Sequence, residues 1–200
     1  MDNTPTILSE RLRLRRFEER DLSALYELFH DEEVNTFLPR FPIHTMAEAK
    51  QIYEENFAAK YKRKRGYYYA ICLRESDIAI GYVVASLHDA HDFGYALRKE
   101  YWHQGIVSEA GAMVVTQLKQ DGVAFITATH DILNPRSGEV MKRIGMHYAY
   151  TYVEEHWMPK DRCAVFRMYQ LNLDGNDTRI YRRYWDEYET HFIEQEEVIR

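Results

Sequence analysis

The sequence predicts a mixed α/β fold: a sheet of about seven strands with helices on both of its faces. Three observations carry the prediction. Runs of alternating or continuous apolar residues crowd the middle of the chain, segments of 3–4 apolar spacing separate them, and one strand–helix–strand crossover leads into the run from Val123 to His130. A length of 200 residues suits a single core, and a composition 46% hydrophobic and 29% charged argues against disorder.

Each element has its own signal. Between Arg11 and Phe17 arginines alternate with Leu12 and Leu14, the period of a half-buried strand. Asp21 is expected to cap a helix whose Leu22, Leu25, Tyr26 and Phe29 share a face. Thr45 and Glu48 form a capping box for a second helix that turns Met46, Ala49, Ile52, Tyr53 and Phe57 inward. The basic run Lys60–Arg65 then fits a solvated helix C-terminus, where cations complement the dipole. Strands follow at Tyr67–Leu73, Ile78–Leu87 and Phe93–Leu97, the first two joined by the polar turn at 74–77. Helical spacing returns from Ile106 to Leu118 and stops at Asp121-Gly122. After the strand Val123–His130, Asn134-Pro135 opens a helix, the asparagine as its cap and the proline at its first position, with Ser137, Val140, Met141 and Ile144 on its inner stripe. His147–Val153 and Ala164–Leu173 complete the sheet. Residues 1–173 therefore read as the domain, and 174–200 as an amphipathic helical extension. Its aromatic face, Ile180, Tyr181, Tyr184, Trp185, Tyr188 and Phe192, would pack on the domain or on a second subunit in a homodimer, with a substrate lid as the sharper alternative.

Composition narrows the function. Against 32 acidic residues stand 26 basic ones, a net charge of −6, which disfavours a sequence-independent nucleic-acid partner. Cys72 and Cys163 are too few for a disulfide framework or a thiolate zinc site, and fit a reducing, cytoplasmic setting. No apolar stretch is long enough to span a membrane, and the charged N-terminal stretch does not indicate secretion. His88, His91 and Asp92 lack the company that a metal site requires, so no metal is expected.

The segment from Gly94 to Ala110 is the most informative. It reads as a strand, a tight turn, Gly105 and then a helix, whose first N–H groups have no internal partner and whose dipole is positive there. Such a corner can hold a pyrophosphate without a lysine, and Gly105 permits a close approach. By periodicity alone, a plain strand-to-helix turn containing one glycine is the better reading, because a single glycine is a weak phosphate signal.

Tyr95-x-Leu97 followed by Glu100–Ala110 resembles the acetyl-CoA signature of the GCN5-related N-acetyltransferase (GNAT) family, most closely the branch of ribosomal-protein N-terminal acetyltransferases. The opening stretch Ser9–Leu28 and the stretch Asn134–Met146 match in order, so the resemblance covers Ile7 to Leu173. It implies the GNAT fold, acetyl-CoA as co-substrate and direct transfer to a primary amine, either a protein N-terminus or a small amine. It also implies that Leu97 and Arg98 pair their backbone with the pantetheine arm and that His103, Gln104, Gly105, Ile106, Val107 and Ser108 form the pyrophosphate loop. Asn134 and Ser137 would face the thioester end, with Ser137 as partner of the leaving thiolate. Asp92 stands where relatives often carry a carboxylate and is the first choice of general base, ahead of Glu154, Glu155, His91 and His130. Three departures matter. Trp102 opens the loop, Val107 stands in place of Gly or Ala, and Met141 occupies the position of a frequent tyrosine acid, whose role must then move elsewhere. Val107 and Met141 keep a second reading open, a non-catalytic acyl-CoA-binding module. The acidic tail suggests a third, a partner-binding adaptor.

Overall fold

Residues 2–195 are described by a computed structural model. In chain order the elements are β1 (Ile7–Leu8), β2 (Leu12–Arg15), α1 (Leu22–His30), α2 (Glu32–Asn35), α3 (Met46–Ile52), α4 (Ala59–Tyr61), β3 (Tyr67–Leu73), β4 (Ala79–Ala85), β5 (Phe93–Leu97), α5 (Ile106–Gln120), β6 (Phe125–Asp131), α6 (Pro135–Arg143), β7 (His147–Trp157), β8 (Arg162–Asn172), α7 (Arg183–Glu187) and β9 (His191–Phe192). A π-helical segment, Tyr53–Ala58, joins α3 to α4.

All seven expected strands form, as β2 to β8, and the two-residue β1 and β9 add to them; the correction is that among the described residues they make two antiparallel sheets rather than one. One has the order β1-β2-β3-β4-β5, the other β6-β8-β7-β9. A lone parallel bridge, Asp92 to Thr127, connects them. Beyond that bridge β5 and β6 part, leaving a wedge between them that a count of strands does not reveal, since both strands read as ordinary apolar runs.

Two cores flank the first sheet. On one face, Leu12, Leu14, Tyr69, Ile71 and Val83 pack with Ile106, Ala110, Val114 and Leu118 of α5. On the other, Leu25, Leu28 and Phe29 of α1 meet Ala49, Ile52 and Phe57. Met46 is corrected to an exposed position at 45%, because it opens α3 beyond the reach of that core. The Thr45–Glu48 capping box forms as expected. Asp21, however, makes no side-chain cap for α1. Its carboxylate accepts two hydrogen bonds from the Arg15 guanidinium, at 2.6 and 2.9 Å, in a nearly solvent-free pair. A bidentate charged partner outcompetes a neutral backbone amide.

The extension is the largest departure. A continuous amphipathic helix is replaced by turns, the five-residue α7 and β9, and residues 196–200 lie outside the described part. The second sheet offers a better partner than helix formation does. Val153 N–H donates to Thr190 O at 2.9 Å, Tyr150 Oη donates to Tyr181 O at 2.8 Å, and Arg167 pairs with Glu194 at 2.7 Å. The rings of Tyr184 and Tyr188 stack on Tyr152 at 5.1 and 4.8 Å. The aromatic face that suggested a second subunit is thus covered by the chain's own sheet, although Ile180 and Phe192 remain exposed.

Candidate active site

The wedge between β5 and β6 opens into a cleft of about 710 Å³, lined from both sheets, α2, α5, α6 and the extension. At its base Thr127 N–H donates to His91 O at 3.2 Å and Thr127 Oγ1 to Ala90 O at 2.7 Å, closing the bottom of the wedge. Above this point Gly94 to Leu97 pair with β4 on one side only. The other edge faces the cleft with unpaired peptide groups, which an amide-bearing chain can engage as an added strand would. Trp102 Nε1 donates to Leu97 O at 2.8 Å and holds the end of that edge.

The α5 corner is built by backbone conformation. His103 and Gly105 have φ of 61° and 71°, in the left-handed region, so the chain doubles back and enters α5 with its first amides turned to the cleft. Gly105 is the N-cap and supplies no side-chain acceptor for them. A diphosphate fits there: the donors are free and the dipole has the right sign. Glu109 in the first turn would repel such an anion, but its carboxylate is engaged by Arg11 at 2.5 Å and Ser9 at 2.6 Å. Arg11 Nη2 also donates to Gln104 O at 3.0 Å, clamping the loop. Across the opening, the Arg136 guanidinium lies 4.5 Å from the Trp102 ring centroid.

Deeper in the cleft, Tyr95 of β5 reaches α6. Its hydroxyl donates to Ser137 O at 2.8 Å and lies 2.9 Å from Ser137 Oγ. Burial pushes the Tyr95 phenol well above its ordinary range, so it keeps its proton at neutral pH. Asp92 lines the cleft where the strands part, and no hydrogen bond to its carboxylate is formed among the described residues. Its surface opens to the cleft, yet the walls around it restrict hydration and push its pKa up to about 6. Glu154 of β7 also lines the cleft and is raised by burial, with the Tyr188 phenol against it.

This geometry can be set beside known proteins. A family model described as an acetyltransferase (GNAT) domain matches residues 11–147. The chain belongs to the GNAT family. The curated N-acetyltransferase YnaD of Bacillus subtilis (strain 168) is 28% identical over 173 residues, spanning 76% of this chain and 98% of that relative. A GNAT acetyltransferase structure from Bacillus anthracis superposes with a TM-score of 0.73 at 23% identity, covering 85% and 99% of the two chains. The ribosomal L7/L12 α-N-protein acetyltransferase RimL, solved with coenzyme A, gives 0.74 at 19% identity, covering 85% and 99%. This GNAT protein is accordingly an N-acetyltransferase, its acetyl donor is acetyl-CoA and its acceptor an amine. Nothing favours the non-catalytic reading.

Most of the residues singled out by sequence line the GNAT cleft: Leu97, His103, Gly105, Ile106, Val107 and Ser108 on the cofactor side, and Asp92, Asn134 and Ser137 farther in. Arg98 and Gln104 are turned away from it. Arg98 pairs with Glu100 at 2.6 Å, and Gln104 Nε2 donates to Glu100 O at 3.1 Å. The Asn134 side chain does not cap α6, contrary to expectation, which leaves its carboxamide free at the cleft. Among the other candidate bases, Glu155 and His91 lie off the cleft, and His91 Nδ1 sits 3.0 Å from Phe125 O. His130 lines it but is buried, with its pKa lowered by desolvation, and Nε2 packs against Gly138, where a Cβ would come within 2.6 Å. Among the described residues no group of three or more His, Cys, Asp or Glu is placed to hold a metal, and no helix is long and apolar enough to cross a membrane.

Sequence reasoning missed two contributors, Tyr95 and Arg11. Met141 is core, 1% exposed, and the phenol beside α6 belongs to Tyr95 of β5, which was visible only as a motif residue. Arg11 read as a strand arginine. Tyr184 and Tyr188 belong to the tail's aromatic stripe, for which a substrate lid was one of the expected readings, and both line the cleft.

Proposed function

We propose that this acetyltransferase works by direct transfer, with Asp92 as general base and the Tyr95–Ser137 hydroxyl pair serving the leaving group. One observation carries the reading: a carboxylate with no hydrogen-bond partner faces the cleft at the neck of the wedge, and the hydroxyl pair lines the same cleft from β5 and α6. Acetyl-CoA supplies the thioester. The amides of residues 106–108 take the diphosphate, and the free edge Gly94–Leu97 aligns the pantetheine arm. Asp92, directly or through one water, accepts the proton of the acceptor ammonium, which at an ordinary alkylamine pKa near 10.4 leaves only about one molecule in a thousand as free base at neutral pH. The nitrogen lone pair forms the N–C bond and the C–S bond breaks; Ser137 Oγ–H donates a hydrogen bond to the sulfur as it gains charge, and the second proton lost from nitrogen passes to the thiolate, leaving the amide and free coenzyme A thiol. Tyr95 is a positioning residue: by donating to Ser137 O it holds the serine hydroxyl toward the cleft.

The acceptor is a primary amine of a protein N-terminus or of a small molecule, and the setting we infer is the cytoplasm, consistent with two unpaired cysteines. A thiol-release assay with acetyl-CoA and a broad amine panel tests the catalytic reading. Turnover that falls about 10²-fold or more in Asp92→Asn supports it. Binding of acetyl-CoA without thiol release across the panel would refute it.

A further inference from the structure

The family model stops where β7 begins, and the acceptor end of the cleft is completed by residues beyond it: Tyr152, Glu154, Tyr184 and Tyr188. Their charge balance is one-sided. Asp92 and Glu154 both line this end, and Glu33 of α2 stands on the facing wall. The basic residues lining the cleft belong elsewhere: His103 precedes α5, His130 is tucked under α6, and Arg136 and Arg143 are on α6. The nearby hairpin cations are already engaged. Lys160 Nζ donates to the carbonyls of Asn35 and Thr36, and Arg162 pairs with Asp131 at 2.5 Å while covering the Trp157 ring at 4.7 Å. Direct transfer uses one carboxylate, so the second has neither a proton-transfer task nor a protein counter-charge. Tyrosines wall this end of the cleft: Tyr188 contacts Glu154, Tyr184 is a neighbour of Asp92, and both stack on Tyr152. Phenol oxygens and aromatic faces beside a carboxylate form a setting that attracts an organic cation.

We infer that the acceptor is a small di- or polycationic amine: one amino group is presented to Asp92, and a second positive group is held by Glu154 within the wall of Tyr152, Tyr184 and Tyr188. This rests on the direct-transfer reading and adds the class of substrate. It also gives the C-terminal extension a task, since the extension supplies two of the three tyrosines and is fastened to the second sheet by the Arg167–Glu194 pair and to the loop before β5 by Tyr181 Oη donating to Asp89 at 2.7 Å. An acidic peptide N-terminus would meet repulsion from the same carboxylates.

The test compares 1,6-diaminohexane and spermidine with hexylamine, which has the same reacting group and no second charge, and with an acidic peptide bearing a free N-terminal serine. We expect kcat/KM for the diamines to exceed that for hexylamine at least tenfold. In Glu154→Gln, and independently in Tyr184→Leu and Tyr188→Phe, this ratio should fall toward one through a rise in diamine KM. Equal use of hexylamine, preference for the acidic peptide, or a ratio untouched in all three variants overturns the inference. Should no amine release thiol, the catalytic reading fails alone, and calorimetric titration of 1,6-diaminohexane and hexylamine into the coenzyme A-loaded protein decides this one. Selective diamine binding supports it, whereas equal or absent binding rejects it.

Discussion

On the cofactor side of the cleft, the groups that face a ligand are mostly peptide amides and carbonyls, set by the left-handed turns at His103 and Gly105 and by the unpaired edge of β5. On the acceptor side they are side chains from α2, from the start of β5, from α6 and β7, and from the extension, brought together from positions 33 to 188. The contrast explains what family membership conveys. A site made of backbone tolerates unusual side chains, and so Trp102 and Val107 can occupy the loop without dismantling it. A site made of side chains changes its preference with each substitution, so the same fold serves many acceptors.

The comparison can be broken or sharpened by experiment. The largest effect is expected at Asp92, where replacement by Asn should lower kcat about 10²–10⁴-fold. With its pKa near 6, the wild-type carboxyl is ionised above that pH and protonated below it, so kcat/KM should decline as pH drops through about 6. In Asp92→Asn that limb should vanish from the pH profile, and its persistence would assign the base elsewhere. Next comes stability, at the buried pair that joins β2 to the start of α1. Arg15→Met strands the buried Asp21 carboxylate without its bidentate partner, and chemical denaturation should record a loss of about 3–5 kcal/mol. Loss below 1 kcal/mol would mean the pair is dispensable. Ser137→Ala should cost about 10²-fold in kcat. Tyr95→Phe, which leaves the serine present but untethered, should cost about tenfold, with KM for acetyl-CoA little changed in either. Smallest is Gly105→Val: a β-branched residue at φ of 71° is strained, and a tenfold rise in acetyl-CoA KM with kcat retained is the expected signature. A kcat defect there instead would show that the two halves are mechanically coupled.

Much of the cofactor side was legible in the sequence because its determinants are local. The turn before α5 needs a glycine at one position, the capping box of α3 needs Thr45 and Glu48 three apart, and the strands Tyr67–Leu73 and Phe93–Leu97 appear with the bounds their apolar runs suggest. The misses share the opposite property. Asp21 was read as a cap, and Arg15 claims it from six residues away. The tail's 3.6-residue spacing of aromatics was read as a helix, and the exposed face of β7 and β8 draws those rings into a flattened wrap. Tyr95 gained its role only when α6 brought Ser137 within 2.9 Å.

By itself, then, the sequence determined the order of strands and helices, the glycine turn into α5 and the family, since spacing and backbone conformation act over a few residues. Tertiary structure alone decided that β5 and β6 part after Asp92, that a tyrosine from a strand serves a serine on a helix, and that the C-terminal extension walls the acceptor side. Those outcomes depend on which distant surfaces exclude water together, and that free energy exists only once the elements have packed.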